Sequence, residues 1–240
     1  MNILKKIRQE LNVNIDEKYK CSNQKFFKEK ISCYGVRTPI VRKIAKKYFN
    51  QIKHFDKKEI FILSDQLFKN QYNEEATIAI QWLSAFFKQF EKKDFKIFEN
   101  WLTKYIDNWA KDDDFCLHII HPMMEKYPDL INKTKLWSYS KNMWMRRASA
   151  VSFITTIESF YATRHNLKDI FEVAEILLFD KEDLVQKGYG WMLKSASVYN
   201  QKEVFKFVMK HKSKMPRTAL RYAIEKMPGN LKKQATARIV

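Results

Sequence analysis

Glycine and proline are scarce in this chain of 240 residues. It has 4 and 5 of them, where average usage would supply roughly 17 and 12. That scarcity argues against folds assembled from many tight turns, such as sandwiches, barrels and propellers. Phosphate-binding glycine loops are excluded too, because neither G-x-G-x-x-G nor G-x-x-x-x-G-K-[ST] occurs. Cysteine is nearly absent. Cys21, Cys33 and Cys116 form no C-x-x-C pair, which argues against a disulfide framework and against a zinc site, and fits a reducing compartment. No stretch approaches the ~18 consecutive apolar residues that a membrane span requires. The opening segment MNILKKIRQELNVN intersperses charge with apolar residues and does not read as a signal peptide. A cytoplasmic protein with no membrane partner is expected.

Acidic residues are the minority charge. Against 27 Asp+Glu stand 45 Lys+Arg, a formal net charge of +18. A chain this basic is expected to attract a polyanion, of which nucleic acid is the commonest. A membrane surface, an acidic protein, or a merely solvated Lys-rich surface are the other readings of the charge.

What is abundant is helical periodicity. Ile60, Leu63, Leu67 and Phe68 recur at i, i+3, i+7 and i+8, as do Ile78, Trp82, Ala85 and Phe86. Thr38-Pro39 reads as an N-cap followed by Pro at the first helical position. Tyr127-Pro128, Met215-Pro216 and Met227-Pro228-Gly229 mark further breaks. The chain is predicted to be all-α, about a dozen helices in a single domain over 1–240. Segments 136–154 and 177–195 superpose without a gap at an offset of 41 residues, and 67–85 has the same order of apolar helix end, polar turn and second apolar helix. Paired helices at periods of roughly 40–47 residues are the mark of HEAT-type repeats. A curved α-solenoid with a basic concave face is therefore the expected architecture.

Four clusters could carry chemistry. In DNWAKDDDF (107–115), Trp109 and Asp113 are four apart and share a helix face; an acidic run near a helix start also suits the helix dipole. In NMWMRRAS (142–149), Trp144 and Arg147 share a face while Arg146 points elsewhere, and an arginine here reads as carboxylate-paired or as a phosphate clamp. In VQKGYGWMLK (185–194), Lys187 and Trp191 share a face. Gly188 and Gly190 in the same helical segment point to close approach by another backbone or a ligand, since each costs up to ~1 kcal/mol relative to Ala. The basic segment 26–47 delivers Arg37, and with it Thr38 and Arg42, at the start of a helix whose free N–H groups suit an anion. Arg217 and Arg221 are four apart in RTALRYAIEK. His118 and His121 are three apart but lack further ligands at metal spacing, so neither a metal nor another cofactor is expected.

Taken in this order, the clusters resemble the AlkD-like DNA alkylation repair family, the HEAT-like-repeat DNA glycosylases. The likeness runs over roughly residues 20–227, anchored by YGVRTPIVRKIAKK, DNWAKDDDF with MMEKYPDLI, NMWMRRASAV, VQKGYGWMLK and MPRTALRYAIEKMP. The resemblance implies a catalytic carboxylate at Asp113, aromatic partners at Trp109 and Trp191, and a DNA-clamping arginine at Arg147. Thr38, Arg37, Arg42, Trp144, Lys187, Arg217 and Arg221 are then DNA contacts. It implies a monofunctional DNA glycosylase that hydrolyses the N-glycosidic bond of cationic alkylated purines in duplex DNA without a base-flipping pocket. Such an enzyme acts as a monomer, needs no obligate protein partner, and is nucleoid-associated when bound. A non-catalytic member of the same fold that binds branched or distorted DNA is the alternative. Asp112 and Asp114 stand where relatives often carry small or apolar residues; their charge is expected to raise the pKa of Asp113 or to weaken phosphate binding.

Overall fold

The computed structural model describes residues 3–162 and 164–237. The single domain expected over 1–240 therefore begins and ends on residues outside the described ones. All regular secondary structure among the described residues is helical. The chain divides into two compact units, Met1–Ile119 and Ile120–Val240.

The first unit holds α1 (Ile3–Val13), α2 (Glu17–Gln24), α3 (Thr38–Ile52), α4 (Lys57–Lys69), α5 (Asn73–Ala85), α6 (Phe95–Tyr105) and α7 (Trp109–Phe115). α3, α5 and α7 pack side by side as one layer, and α4 lies against both α5 and α6 behind it. α1, α3, α4 and α6 each turn an apolar stripe inward, which is the general reason layered helix pairs are stable. Phe68, Phe98 and Phe115 are fully buried between the layers. Each such side chain contributes about 1.5–3 kcal/mol of transfer free energy. The Trp82 indole N–H donates to the Ala45 carbonyl at 2.9 Å, tying α5 to α3.

The second unit holds α8 (His121–Lys126), α9 (Leu130–Leu136), α10 (Met143–Val151), α11 (Glu158–Ala162), α12 (Arg164–Ile176), α13 (Asp183–Tyr199), α14 (Gln201–His211), α15 (Arg217–Ala223) and α16 (Gly229–Thr236). α10, α13 and α15 form its side-by-side layer, with α9, α12 and α14 behind. Gly190 explains how closely α13 and α15 approach. A Cβ there would lie 2.7 Å from Tyr222 Cβ and 2.9 Å from the Ala219 carbonyl oxygen.

The helix-pair repeat is present, and its register differs by one residue from the gapless offset of 41. The 3₁₀ turns Trp137–Tyr139 and Leu177–Phe179 are 40 apart (177 − 137), as are the starts of α10 and α13 (183 − 143). Leu136 against Leu177 is an accident of composition; the turn and the residue before the second helix set the true frame. The start of α3 also moves by one. Arg37 is the extended residue before the helix and Thr38 its first residue, with Pro39 second.

Candidate nucleic-acid interface

The layer helices share a start signal. α3, α5, α7, α10 and α13 each follow one extended residue, namely Arg37, Tyr72, Asn108, Asn142 and Glu182; α15 follows Pro216 at φ −53°, ψ 141°. Counting from that start, the fifth residue of each is Arg42, Thr77, Asp113, Arg147, Lys187 and Arg221. Positions one and five of a helix lie on the same face. Thr38, Trp109 and Arg217 occupy position one, so most of the residues predicted from the four clusters fall into one structural register. Four of the six fifth positions are cationic, and α7 carries the anion.

In the first unit the start of α7 is rigidly built. The Asn108 side chain accepts from the N–H groups of Ala110 and Lys111, both at 3.1 Å. The buried Lys111 ammonium donates to the Gln71 carbonyl at 2.7 Å and to Asp107 Oδ1 at 2.9 Å. Burial pushes the Lys111 pKa down, with Asp107 opposing. Trp109 stacks on Phe27 with 5.1 Å between ring centroids and donates its indole N–H to the Phe26 carbonyl at 3.3 Å. It borders a cavity of about 230 Å³ together with Tyr19, Phe27, Thr38, Thr77 and Ala110. The first turns of α3, α5 and α7 thus meet around an aromatic-walled pocket.

The loop before α3 is held from below. Buried Glu74 accepts from the backbone N–H groups of Tyr34, Gly35 and Val36 at 3.0, 2.8 and 3.1 Å. Gly35 has φ +93°, a conformation L side chains rarely adopt. Arg37, at the end of this loop, is exposed but salt-bridged to Asp16 at 2.9 Å and lies 5.2 Å from the Tyr19 ring centroid. Arg42 is exposed and makes no hydrogen bond or ion pair among the described residues.

The three successive acids of α7 diverge. Asp112 is 0% exposed. Asp113 is half-buried. Asp114 pairs with His118 at 3.0 Å, and that hydrogen bond raises the histidine's pKa. Asp112 is packed inside and Asp114 turns to a histidine, so the three acids point in different directions. The helical turn of about 100° per residue is the reason.

In the second unit Arg147 is 4% exposed, and one guanidinium N–H donates to the Leu184 carbonyl. A Cβ at Gly188 would come within 3.3 Å of Arg147 Cγ, so this glycine makes room for the arginine. Arg146 points elsewhere, as predicted, and is bound to Asp180 and to the carbonyls of Ser140 and Lys141. Lys187 pairs with Asp183 at 2.8 Å. Trp144 and Trp191 are half-exposed. Arg217 and Arg221 are exposed and without a hydrogen bond or ion pair among the described residues. His121 is buried with Nδ1 2.9 Å from the Ser152 carbonyl oxygen. Among the described residues no three His, Cys, Asp or Glu side chains are placed to share a metal ion.

Sequence reasoning missed Thr77, Tyr19 and the anchoring role of Glu74. Thr77 carries no charge, so only an alignment of helix starts brings it out; Glu74 sits in the polar turn KNQYNEE, where an acid reads as solvent-facing.

A family model described as DNA alkylation repair enzyme matches residues 7–227. Among solved structures, a predicted DNA alkylation repair enzyme from Enterococcus faecalis is similar, with a TM-score of 0.77 at 13% identity over 90% of this chain and 98% of that one. At that identity the likeness establishes the fold. Among curated proteins, no relative matches the sequence.

Proposed function

The chain belongs to the DNA alkylation repair enzyme family, and from that premise we propose that it is a monofunctional DNA glycosylase releasing cationic alkylated purines from duplex DNA. The observation that carries the reading is Trp109 and Asp113 at positions one and five of α7, in the same helix register that bears Arg42, Arg147, Lys187 and Arg221.

A purine alkylated at N7 or N3 is positively charged, so its glycosidic bond is already weakened and its departure needs no protonation. The bond from C1′ to the purine breaks with its electron pair leaving on the base, which departs neutral. The sugar passes through a transition state of oxocarbenium character, as in glycoside hydrolysis. Asp113 stabilises that charge electrostatically and orients the water that adds to C1′; the water's proton passes to the carboxylate and then to solvent. Trp109, braced by Phe27, faces the deoxyribose and the cationic lesion with its ring. In the second unit Trp191 offers a second aromatic face and Arg147, fixed on the Leu184 carbonyl, takes a phosphate. Arg37, Thr38, Arg42, Trp144, Lys187, Arg217 and Arg221 hold the DNA backbone. The reaction leaves an abasic site, on cytoplasmic, nucleoid-associated DNA.

The test is single-turnover release of 7-methylguanine from a defined duplex by wild type and Asp113→Asn. Release by wild type, lost in the variant at unchanged DNA affinity, is the expected outcome. Equal rates would remove Asp113 from the mechanism. Salt-sensitive binding with no release by either protein would make the chain a reader of DNA structure instead.

A further inference from the structure

A second cavity in the first unit, of about 490 Å³, is floored by Gln81, Ser84 and Ala85 of α5 and walled by Arg42 of α3 and by Asp114 and His118. Thr77, which borders the first pocket, is one turn before Gln81 on the same α5 face. The polar groups here form an unusual set. Arg42, Gln81 and Ser84 make no side-chain hydrogen bond among the described residues. The cavity's carboxylate, Asp114, is already used: its Oδ1 lies 3.0 Å from His118 Nδ1, which also lies 2.9 Å from the Asp114 carbonyl oxygen. That pairing makes Nδ1 a donor and leaves Nε2 turned away from Asp114. The cavity therefore presents a guanidinium, an amide, a hydroxyl and an imidazole, and its one carboxylate, Asp114, is hydrogen-bonded to the imidazole.

His118 stands in a stretch whose backbone is itself unusual. Cys116–Ile120 is a π-helix, a wide turn that is rare and frequent at functional sites. Pro122 lacks the N–H that an unbroken α-helix would need four residues after His118.

We infer that this groove binds a phosphodiester of the DNA strand, with Arg42, Gln81, Ser84 and His118 as donors. The inference rests on the reading of the chain as a DNA-binding repair enzyme. Groups that can donate and that make no side-chain hydrogen bond of their own suit an anion that accepts only. An arginine beside two neutral donors matches the mixture of groups that ordinarily position a nucleic-acid backbone. The titratable and charged groups facing His118 are Asp114 on its own helical segment and Arg42 on α3; the α5 residues of the groove contribute none. Asp114 holds the ring's positive charge and Arg42 opposes it. Protonation turns Nε2 into a further donor to the phosphate.

The experiment is anisotropy of an undamaged labelled duplex with the full chain, across salt and at acid and neutral pH. Gln81→Glu is expected to weaken binding about tenfold and Gln81→Lys to tighten it, since the two changes perturb packing alike but differ in sign. Arg42→Ala lowers the slope of log affinity against log salt by about 1, the signature of one lost phosphate contact. His118→Gln abolishes the extra affinity that wild type gains at acid pH. Wild-type affinity in both Gln81 variants overturns the inference, as does displacement of the duplex by inorganic phosphate at equal concentration, which would make this a small-anion site. Base release is scored separately: normal release by variants with unaltered binding defeats the groove alone, and absence of release by a wild type that binds DNA defeats the glycosylase reading alone.

Discussion

Individual side chains in this protein do work that charge alone does not reveal. Arg146 and Arg147 are consecutive, yet the first closes a local network with Asp180 and the second is buried on the Leu184 carbonyl. Glu74 shows how a buried acid can be structural. Its carboxylate receives three backbone N–H groups, and hydrogen bonds to a charged group contribute about 1.5–3 kcal/mol each. Glu74→Ala leaves those donors buried without a partner, so a loss of roughly 2–4 kcal/mol is expected; a shift of the urea midpoint measures it. His118 makes the pH prediction. Its folded-state pKa lies above the unfolded value because Asp114 bonds the charged ring. Stability from this pair is fully present below the unfolded pKa of about 6.5 and is lost as pH rises through the higher folded value. An NMR titration of His118 should show its midpoint fall in Asp114→Asn.

At the scale of helices, the decisive quantity is how closely neighbours approach. α13 carries two glycines in its interior, where each costs up to ~1 kcal/mol of helix propensity relative to Ala. The structure explains both, since Arg147 occupies the space at Gly188 and α15 that at Gly190. Gly190→Ala improves propensity but drives a Cβ to 2.7 Å from Tyr222 Cβ and 2.9 Å from a carbonyl. Overpacking of about 1–3 kcal/mol outweighs the gain, so a lower denaturation midpoint is expected. An unchanged or raised midpoint would mean that α15 yields freely. α15 bears Arg217 and Arg221 on the side away from α13, so this variant should also disturb DNA binding.

For the whole molecule, net charge of +18 sets the long-range attraction to DNA, while the committed ion pairs decide which cations remain to meet it. Arg221→Ala, an exposed cation without a partner among the described residues, should reduce the salt dependence of DNA binding by about one ion. Arg146→Ala removes the same formal charge from a pair already satisfied by Asp180, and should lower stability with the salt slope nearly intact. Titrations of affinity against salt for the two variants, beside their thermal midpoints, separate charge that binds from charge that folds.

Much was already written in the chain. Scarce glycine and proline with a 3.6-residue apolar rhythm determined an all-helical fold, because periodicity and turn chemistry are local. The i, i+4 pairs Trp109–Asp113, Lys187–Trp191 and Arg217–Arg221 were legible for the same reason. The repeat register, the burial of Asp112 and Arg147, the partner of Arg37 and the anchoring by Glu74 belong to the tertiary structure. Three of these rest on a residue distant in sequence: Leu184 for Arg147, Asp16 for Arg37, and the 34–36 loop for Glu74. Burial and pairing follow from contacts between elements, and a local pattern says which face a residue shares without saying what the fold sets opposite it.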